Sequence, residues 1–283
     1  MTLKVTINDK AYNAEEGEYI LDLCRRNQIL VPTLCHHESL SGLGACRLCV
    51  VEINEGRGNK VVVSCVYPLS KDCNIFTESE KIKGIRKTIL SMLRARAPEG
   101  DRIASLCRIY GVEQESADEH FTVSKTKKGD TQNPAHLQRN HLSSSCVLCG
   151  LCVQACANLG AGAISTVGRG VEKKVSTPYD EPSADCVGCG SCAALCPTKA
   201  IECTEANGKR IIWDRNFTLL VCASCKKTFA TEEEYAFAMK KAAQEKTAPE
   251  KAGEPDPTAP PLCETCRKKK SADVFAAAFG ERA

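Results

Sequence analysis

Aromatic side chains are scarce in this chain. Phe, Tyr and Trp together make up 5% of its 283 residues, with a single Trp. Proteins that stack on bases need aromatic faces beside a strong basic bias, and a formal charge of +3 supplies no such bias. Long apolar runs are absent too: nothing approaches the roughly 18 consecutive apolar residues that span a bilayer. The opening MTLKVTINDKAYN lacks the basic, then apolar, then small-residue succession of a secretory signal. These absences argue against nucleic acid as a partner, against a membrane span and against export, so the expected location is cytoplasmic.

Cysteine, by contrast, is abundant at 20 residues. In a reducing compartment such density means metal or cluster ligation rather than a disulfide framework. The charge of +3 counts thiols as neutral; four four-thiolate sites at about −2 each would shift it to roughly −5. Basic residues are interleaved with the thiols in a way that offsets this: Arg47 between Cys46 and Cys49, Lys226 and Lys227 after Cys225, and Arg267 to Lys270 after Cys266.

Periodicity outlines an α+β chain. Leu3, Val5 and Ile7 alternate toward the turn pair Asn8-Asp9, Tyr19 to Asn27 is predicted helical, and RLCVVEIN and KVVVSC form a hairpin across EGRGN. Ile82, Ile85, Ile89 and Leu93 recur at helical spacing until Pro98, and a shorter helix spans Asp101 to Tyr110. KTKKGDTQNPAH, from Lys125, is a polar linker. IIWD and TLLVC are predicted as short strands, Thr231 with Glu234 as a capping box opening a helix near Glu232, and AAQEKTAPEKAGEPDPTAPP as a disordered insert. The expected division is 1–77, a connector at 78–140, a cysteine repeat at 141–205 and a C-terminal module at 206–283.

The repeat is the most specific signal. SSSCVLCGLCVQAC and SADCVGCGSCAALC share the spacing C-x-x-C-x-x-C-x-x-x-C. Three thiolates sit on a tight loop and the fourth, on the following helix, diverges to ligate the other cluster. One [4Fe–4S] cluster is therefore expected on Cys146, Cys149, Cys152 and Cys196, the second on Cys186, Cys189, Cys192 and Cys156. Gly150 and Gly190 stand where backbone passes close to inorganic sulfur, and Pro197 completes the usual ending, whereas Ala157 departs from it. Upstream, Cys35, Cys46, Cys49 and Cys65 follow C-x10-C-x2-C-x15-C, which suits a [2Fe–2S] cluster. His36 and His37 leave a Rieske-type reading open, while Cys24, Cys73, Cys107 and Cys203 lack partners at ligand spacing and are expected to be small buried residues.

ILVPTLCH, LGACRLCVVEI and SCVYPL resemble the N-terminal module of complex I's large iron–sulfur subunit. They also resemble the diaphorase iron–sulfur subunits of bidirectional [NiFe] hydrogenases, NAD-linked formate dehydrogenases and electron-bifurcating [FeFe] hydrogenases. GRGVEKKVSTPYDEPSADCVGCGSCAALCPTKAI is similar to the stretch around the paired motifs of the same families. The resemblance implies a β-grasp ferredoxin module, then an 8Fe-ferredoxin-like module. The chain would be an electron relay between a flavin-containing NADH-oxidoreductase subunit, accompanied by a thioredoxin-like [2Fe–2S] subunit, and a catalytic [NiFe] hydrogenase or molybdenum/tungsten formate dehydrogenase subunit. No independent active site is then expected. Many of these relatives carry a His-plus-three-Cys cluster between the modules. Here residues 80 to 140 offer only Cys107, His120 and His136, so that cluster cannot be built and electrons must pass without it or through a neighbouring subunit.

Cys222 with Cys225 and Cys263 with Cys266 form two further C-x-x-C knuckles. They are read as a structural zinc site of zinc-ribbon type used for interaction, with a further iron–sulfur cluster as the alternative. GLGAC and LGAGAI do not fit G-x-G-x-x-G, so the chain itself is not expected to bind a nucleotide. Two other readings stay open at this point, a succinate dehydrogenase or fumarate reductase iron–sulfur subunit and a zinc-ribbon redox-sensing regulator.

Overall fold

The computed structural model describes residues 2–98, 100–112, 145–244 and 260–270. The linker from Lys125, His120, His136 and most of the Pro- and Ala-rich insert lie outside them. The chain divides into two compact units. The first comprises 1–160, 164–176 and 191–202; the second comprises 161–163, 177–190 and 203–283.

In the first unit, β1 (Thr2–Ile7) buries Leu3, Val5 and Ile7 as the alternation demands. It turns through Asn8 and Asp9, with φ of 45° and 68°, into antiparallel β2 (Lys10–Glu15). Positive φ at both central residues gives the hairpin a turn whose twist matches its strands. β3 (Val50–Asn54) and β4 (Asn59–Val63) form the second hairpin. β5 (Cys73–Phe76) joins the two hairpins, parallel to β1 and antiparallel to β3, so the sheet order is β2-β1-β5-β3-β4. Helix α1 (Ile20–Arg26) seals one face, with Ile20 and Leu23 sharing a core with Val5, Ile7, Val51, Ile53 and Ile75. A mixed sheet laid over one helix is the arrangement expected for the first module.

Helix α2 (Glu80–Arg96) starts where Ser79 Oγ accepts the Ile82 N–H at 3.3 Å, and it packs on α3 (Asp101–Tyr110). Its inward stripe differs from the expected one. Ile82, Arg86 and Leu90 are buried, while Ile85, Ile89 and Leu93 flank them half-exposed. Arg86 is tolerated there because each nitrogen of its guanidinium donates to a partner. Its guanidinium donates to Leu48 O (3.0 Å), Val50 O (2.9 Å) and Tyr110 Oη (2.8 Å), and pairs with Glu78. Those two carbonyls bracket Cys49, so the connector is tied to the first cysteine loop by an otherwise costly buried charge. The unit is completed by α4 (Leu151–Leu159), the hairpin β6 (Ser165–Val167) and β7 (Lys174–Ser176), and α5 (Ser191–Ala194), which packs on α4.

The second unit is built on an antiparallel sheet, β8 (Cys203–Ala206), β9 (Lys209–Ile212), β10 (Arg215–Val221) and β11 (Thr228–Thr231), in the order β11-β10-β9-β8. The expected strand IIWD ends at Ile212: Trp213 and Asp214, with φ of 52° and 58°, are instead the two turn residues between β9 and β10. Helix α6 (Glu232–Gln244) opens on the expected box, Thr231 Oγ1 accepting the Glu234 N–H at 3.0 Å. Residues 264–270 are helical. No helix among the described residues is long and apolar enough to cross a membrane.

The Arg86 contacts predict a local cost. Arg86→Met leaves two buried carbonyls without this donor, and chemical denaturation of the full chain should show a loss of about 3 kcal/mol. A loss within error of zero would mean the carbonyls are satisfied without it.

Candidate metal centres

Cys35, Cys46, Cys49 and Cys65 are all buried, on the loop that leads into β3 and at the end of β4. Backbone N–H groups converge on their sulfurs. Cys46 N–H points to Cys35 Sγ at 3.3 Å and Leu34 N–H to Cys46 Sγ at 3.5 Å. Ala45 adds a donor to Cys35, Leu48 one to Cys46 and Gly44 one to Cys65. The loop can do this because Gly44 (φ +59°) and Arg47 (φ +57°) are left-handed. A Cβ at Gly42 would come within 2.4 Å of the Cys65 carbonyl oxygen. In the pair Cys35/Cys46, it is Cys46 whose thiol is lowered, to about 6, by the Cys35 hydrogen bond, against burial and with help from the Leu48 and Leu34 N–H groups. Cys49 is lowered to about 7, chiefly by its hydrogen bond from Cys65. Successive N–H groups aimed into a concavity form an anion nest, which suits thiolates around iron. His37 is exposed and its Nδ1 accepts the Ser39 N–H at 3.2 Å, so its ring is engaged in its own turn.

Three cysteines of the first half of the repeat meet Cys196 of the second around a pocket. Cys146, Cys149, Cys152 and Cys196 line one cavity with Leu148, Val175, Thr198 and Ile201 among its walls. Leu148 (φ +53°) and Gly150 (φ +82°) bend the loop. The N–H groups of Leu148 and Leu151 point to Cys146 and Cys149, and Ala200 N–H reaches Cys196 Sγ at 3.2 Å. Burial pushes Cys149 up to about 11 and Cys152 up to about 12, so a thiolate at either position is disfavoured without a cation beside it. Four sulfurs on a tight, apolar-walled pocket with N–H donors behind them fit a cubane cluster.

This pocket adjoins the first cysteine loop. Cys149 and Leu151 share a buried cluster with Leu34, Cys35, Cys46 and Leu48, and a Cβ at Gly150 would touch Leu43 Cδ1 at 3.0 Å. Of the second set, Cys156 on α4 and Cys192 on α5 belong to the first unit, Cys186 and Cys189 to the second. Cys24, Cys73 and Cys107 are buried as expected, but Cys203 is half-buried at the start of the edge strand β8, whose other residues are exposed.

Cys222, Cys225, Cys263 and Cys266 have sulfurs all within 4.8 Å of one another. Cys222 and Cys225 lie in the turn between β10 and β11, Cys263 just before helix 264–270 and Cys266 in its first turn. Cys225 Sγ is 3.8 Å from Cys263 Sγ, and Cys263 N–H donates to Cys222 Sγ at 3.3 Å. Cys222 is lowered to about 6 by the N–H groups of Cys225 and Cys263, burial opposing. Lys226 holds the left-handed position (φ +61°) where glycine is common. Four soft, mutually close donors with a thiol poised to ionise suit a tetrahedral metal ion.

Residues 1–80 match the family described as 2Fe-2S iron-sulfur cluster binding domain, and residues 145–200 the 4Fe-4S dicluster domain. The chain is 31% identical over 214 residues to the NADP-reducing hydrogenase subunit HndD of Solidesulfovibrio fructosivorans, covering 70% of this chain and 36% of that one. It is 28% identical over 210 residues to the NADH-ubiquinone oxidoreductase 75 kDa subunit of Reclinomonas americana, covering 70% and 29%. It therefore spans little more than a third, or less, of these relatives' length. A solved NAD+-reducing [NiFe]-hydrogenase shares the fold, with TM-score 0.55, 24% identity and coverage of 70% of this chain and 86% of that chain.

The close approach at Gly42 gives a test. Gly42→Ala should abolish the [2Fe–2S] EPR signal of the reduced protein while the cubane signals persist; an unchanged [2Fe–2S] signal would mean the loop does not need this approach.

Proposed function

We infer, from the chain's kinship with subunits of an NADP-reducing hydrogenase and of an NADH-ubiquinone oxidoreductase, that it is an electron-relay subunit of an NAD(P)-linked oxidoreductase complex. In this reading Cys35, Cys46, Cys49 and Cys65 hold one [2Fe–2S] cluster. Cys146, Cys149, Cys152 and Cys196 hold one [4Fe–4S] cluster, and Cys186, Cys189, Cys192 and Cys156 the other. Bound clusters supply reversible one-electron chemistry; the polypeptide contributes no acid, base or nucleophile. Its residues do three other things. They fix the iron ligands, exclude water with Leu34, Leu48, Leu90 and Leu151, and set potentials through N–H groups directed at sulfur.

The observation that carries this reading is the packing of Cys46 and Cys149 in one buried cluster. Two redox centres whose ligands share a core can exchange an electron directly, which suits a chain whose sequence provides no third ligand set between them. The modules are assigned to 1–77, 78–140, 141–205 and 206–283. The partners are a flavin-containing NADH-oxidoreductase subunit with a thioredoxin-like [2Fe–2S] subunit on one side, and a [NiFe] hydrogenase or molybdenum/tungsten formate dehydrogenase subunit on the other. The work is done in the cytoplasm. Cys222, Cys225, Cys263 and Cys266 hold Zn²⁺, a closed structural site in which all four positions are thiolate.

Metal analysis of the anaerobically purified full chain should give about ten iron atoms and one zinc. Roughly fourteen iron atoms without zinc would overturn the C-terminal assignment, and fewer than about eight would overturn the relay.

A further inference from the structure

Within the second unit, side chains of the C-terminal sheet grip the loop bearing Cys186 and Cys189. Arg215 Nη1 faces three of its carbonyl oxygens, Ser183 at 2.6 Å, Ala184 at 3.0 Å and Cys186 at 2.7 Å. Thr231 Oγ1 donates to Val187 O at 2.6 Å, and Arg210 Nη1 to Gly188 O at 2.7 Å. The carbonyls of Cys186, Val187 and Gly188 are thus each taken by a different residue of the sheet. A trans peptide directs its N–H opposite to its carbonyl. Each engaged carbonyl therefore turns the N–H of the same peptide, that of Val187, Gly188 or Cys189, away from the residue that holds it. Leu148, the counterpart of Gly188 in the first half of the repeat, directs its N–H to a cysteine sulfur.

The fit is close enough to dictate residue type. A Cβ at Gly188 (φ +69°) would lie 2.5 Å from Phe217 Cγ, and Phe217 is fully buried with the Arg215 guanidinium 4.7 Å above its ring. Arg210 is fixed in turn by Glu205, at 2.8 Å from Nε. Thr231 is doubly used, since the hydroxyl that donates to Val187 O also accepts the Glu234 N–H that caps α6. Arg215 opens β10 and Thr231 closes β11, and the turn joining these two strands carries Cys222 and Cys225. The four-thiolate site therefore sits at the end of the hairpin from which two of the three grips are made.

We propose that the C-terminal sheet is a positioning clamp for the second cubane's loop, with Arg215, Arg210 and Thr231 as positioning residues, and that the metal at the four-thiolate site fastens the hairpin that carries two of them. This rests on the assignment of Cys186 and Cys189 as ligands. It gives the C-terminal module a role inside the chain, where knuckles of this type suggested only an interaction platform.

The test uses the full chain, reconstituted anaerobically, in wild-type form and as Arg215→Met, Arg215→Lys, Thr231→Val and Thr231→Ser. Iron release to a competing chelator is followed together with the EPR signals of the reduced centres. Arg215→Met and Thr231→Val should release one cubane's iron about 10- to 100-fold faster than wild type, with the [2Fe–2S] signal and the other cubane unchanged. Thr231→Ser should behave as wild type and Arg215→Lys should fall between. Withdrawing zinc with a zinc-selective chelator should accelerate loss of that same cubane. Loss of all three centres together, or release at the wild-type rate in both Met and Val variants, overturns the clamp, and zinc withdrawal without effect on the cubane overturns the fastening. A wild-type chain with only one cubane removes the ligand assignment itself and the clamp with it.

Discussion

Backbone N–H groups aimed at cysteine sulfur are the interaction on which the rest of this structure depends. A thiolate buried in an apolar wall is unstable unless something replaces the water it has lost. Around Cys35, Cys46 and Cys65 that replacement comes from Leu34, Gly44, Ala45, Cys46 and Leu48; around Cys146, Cys149 and Cys196 it comes from Leu148, Leu151 and Ala200. Peptides can present their N–H groups this way only if the chain turns through left-handed conformations, which is why Gly44, Arg47, Leu148 and Gly150 have positive φ. Their carbonyls must then find donors on the far side. Arg86 serves the peptides flanking Cys49, and Arg210, Arg215 and Thr231 serve the loop of Cys186 and Cys189.

This division explains why the elements outside the cysteine motifs are built as they are. A buried arginine in α2 costs desolvation, yet Arg86 satisfies four groups from one point, including the carbonyls at the root of β3. The connecting helices thus do more than link two domains, because they hold the shape of the loop that carries Cys46 and Cys49. Direct packing of that loop against Cys149 and Leu151 brings cysteines of two sets into one core, with Leu43 lying over Gly150.

Much of this was legible in the sequence because ligand spacing is local or repeats. The C-x-x-C-x-x-C-x-x-x-C units led to the grouping of Cys196 with Cys146, Cys149 and Cys152, which line one pocket. The alternation Leu3, Val5, Ile7 and the Thr231–Glu234 box were likewise readable, since a strand face and a helix cap are decided within a few residues. Arg86 was not legible. Its position in a helical pattern reads as solvated, and its acceptors lie more than thirty residues away, at Leu48 and Val50. Nor were Arg210 and Arg215, whose short-strand context gives no sign of distant carbonyls. Trp213 reads as strand because an aromatic after two isoleucines favours that state, whereas the hairpin needs a two-residue turn there. Close pairing in space of thiols far apart in sequence, as in the C-terminal knuckles, is visible in the pattern, but the identity of the ion is a matter of chemistry rather than of spacing.

Direct electron exchange between the first two proposed centres requires them to lie against one another in a shared buried core. The most direct measurement is the spin relaxation of the reduced [2Fe–2S] centre in the anaerobic full chain, with Cys149→Ser as the control lacking the neighbouring cubane. A [2Fe–2S] signal that relaxes fast and is broadened by magnetic coupling is expected in the wild type, becoming slow and narrow in the control. A wild-type signal already as slow and narrow as the control's, with the cubane present and reduced, would contradict that arrangement.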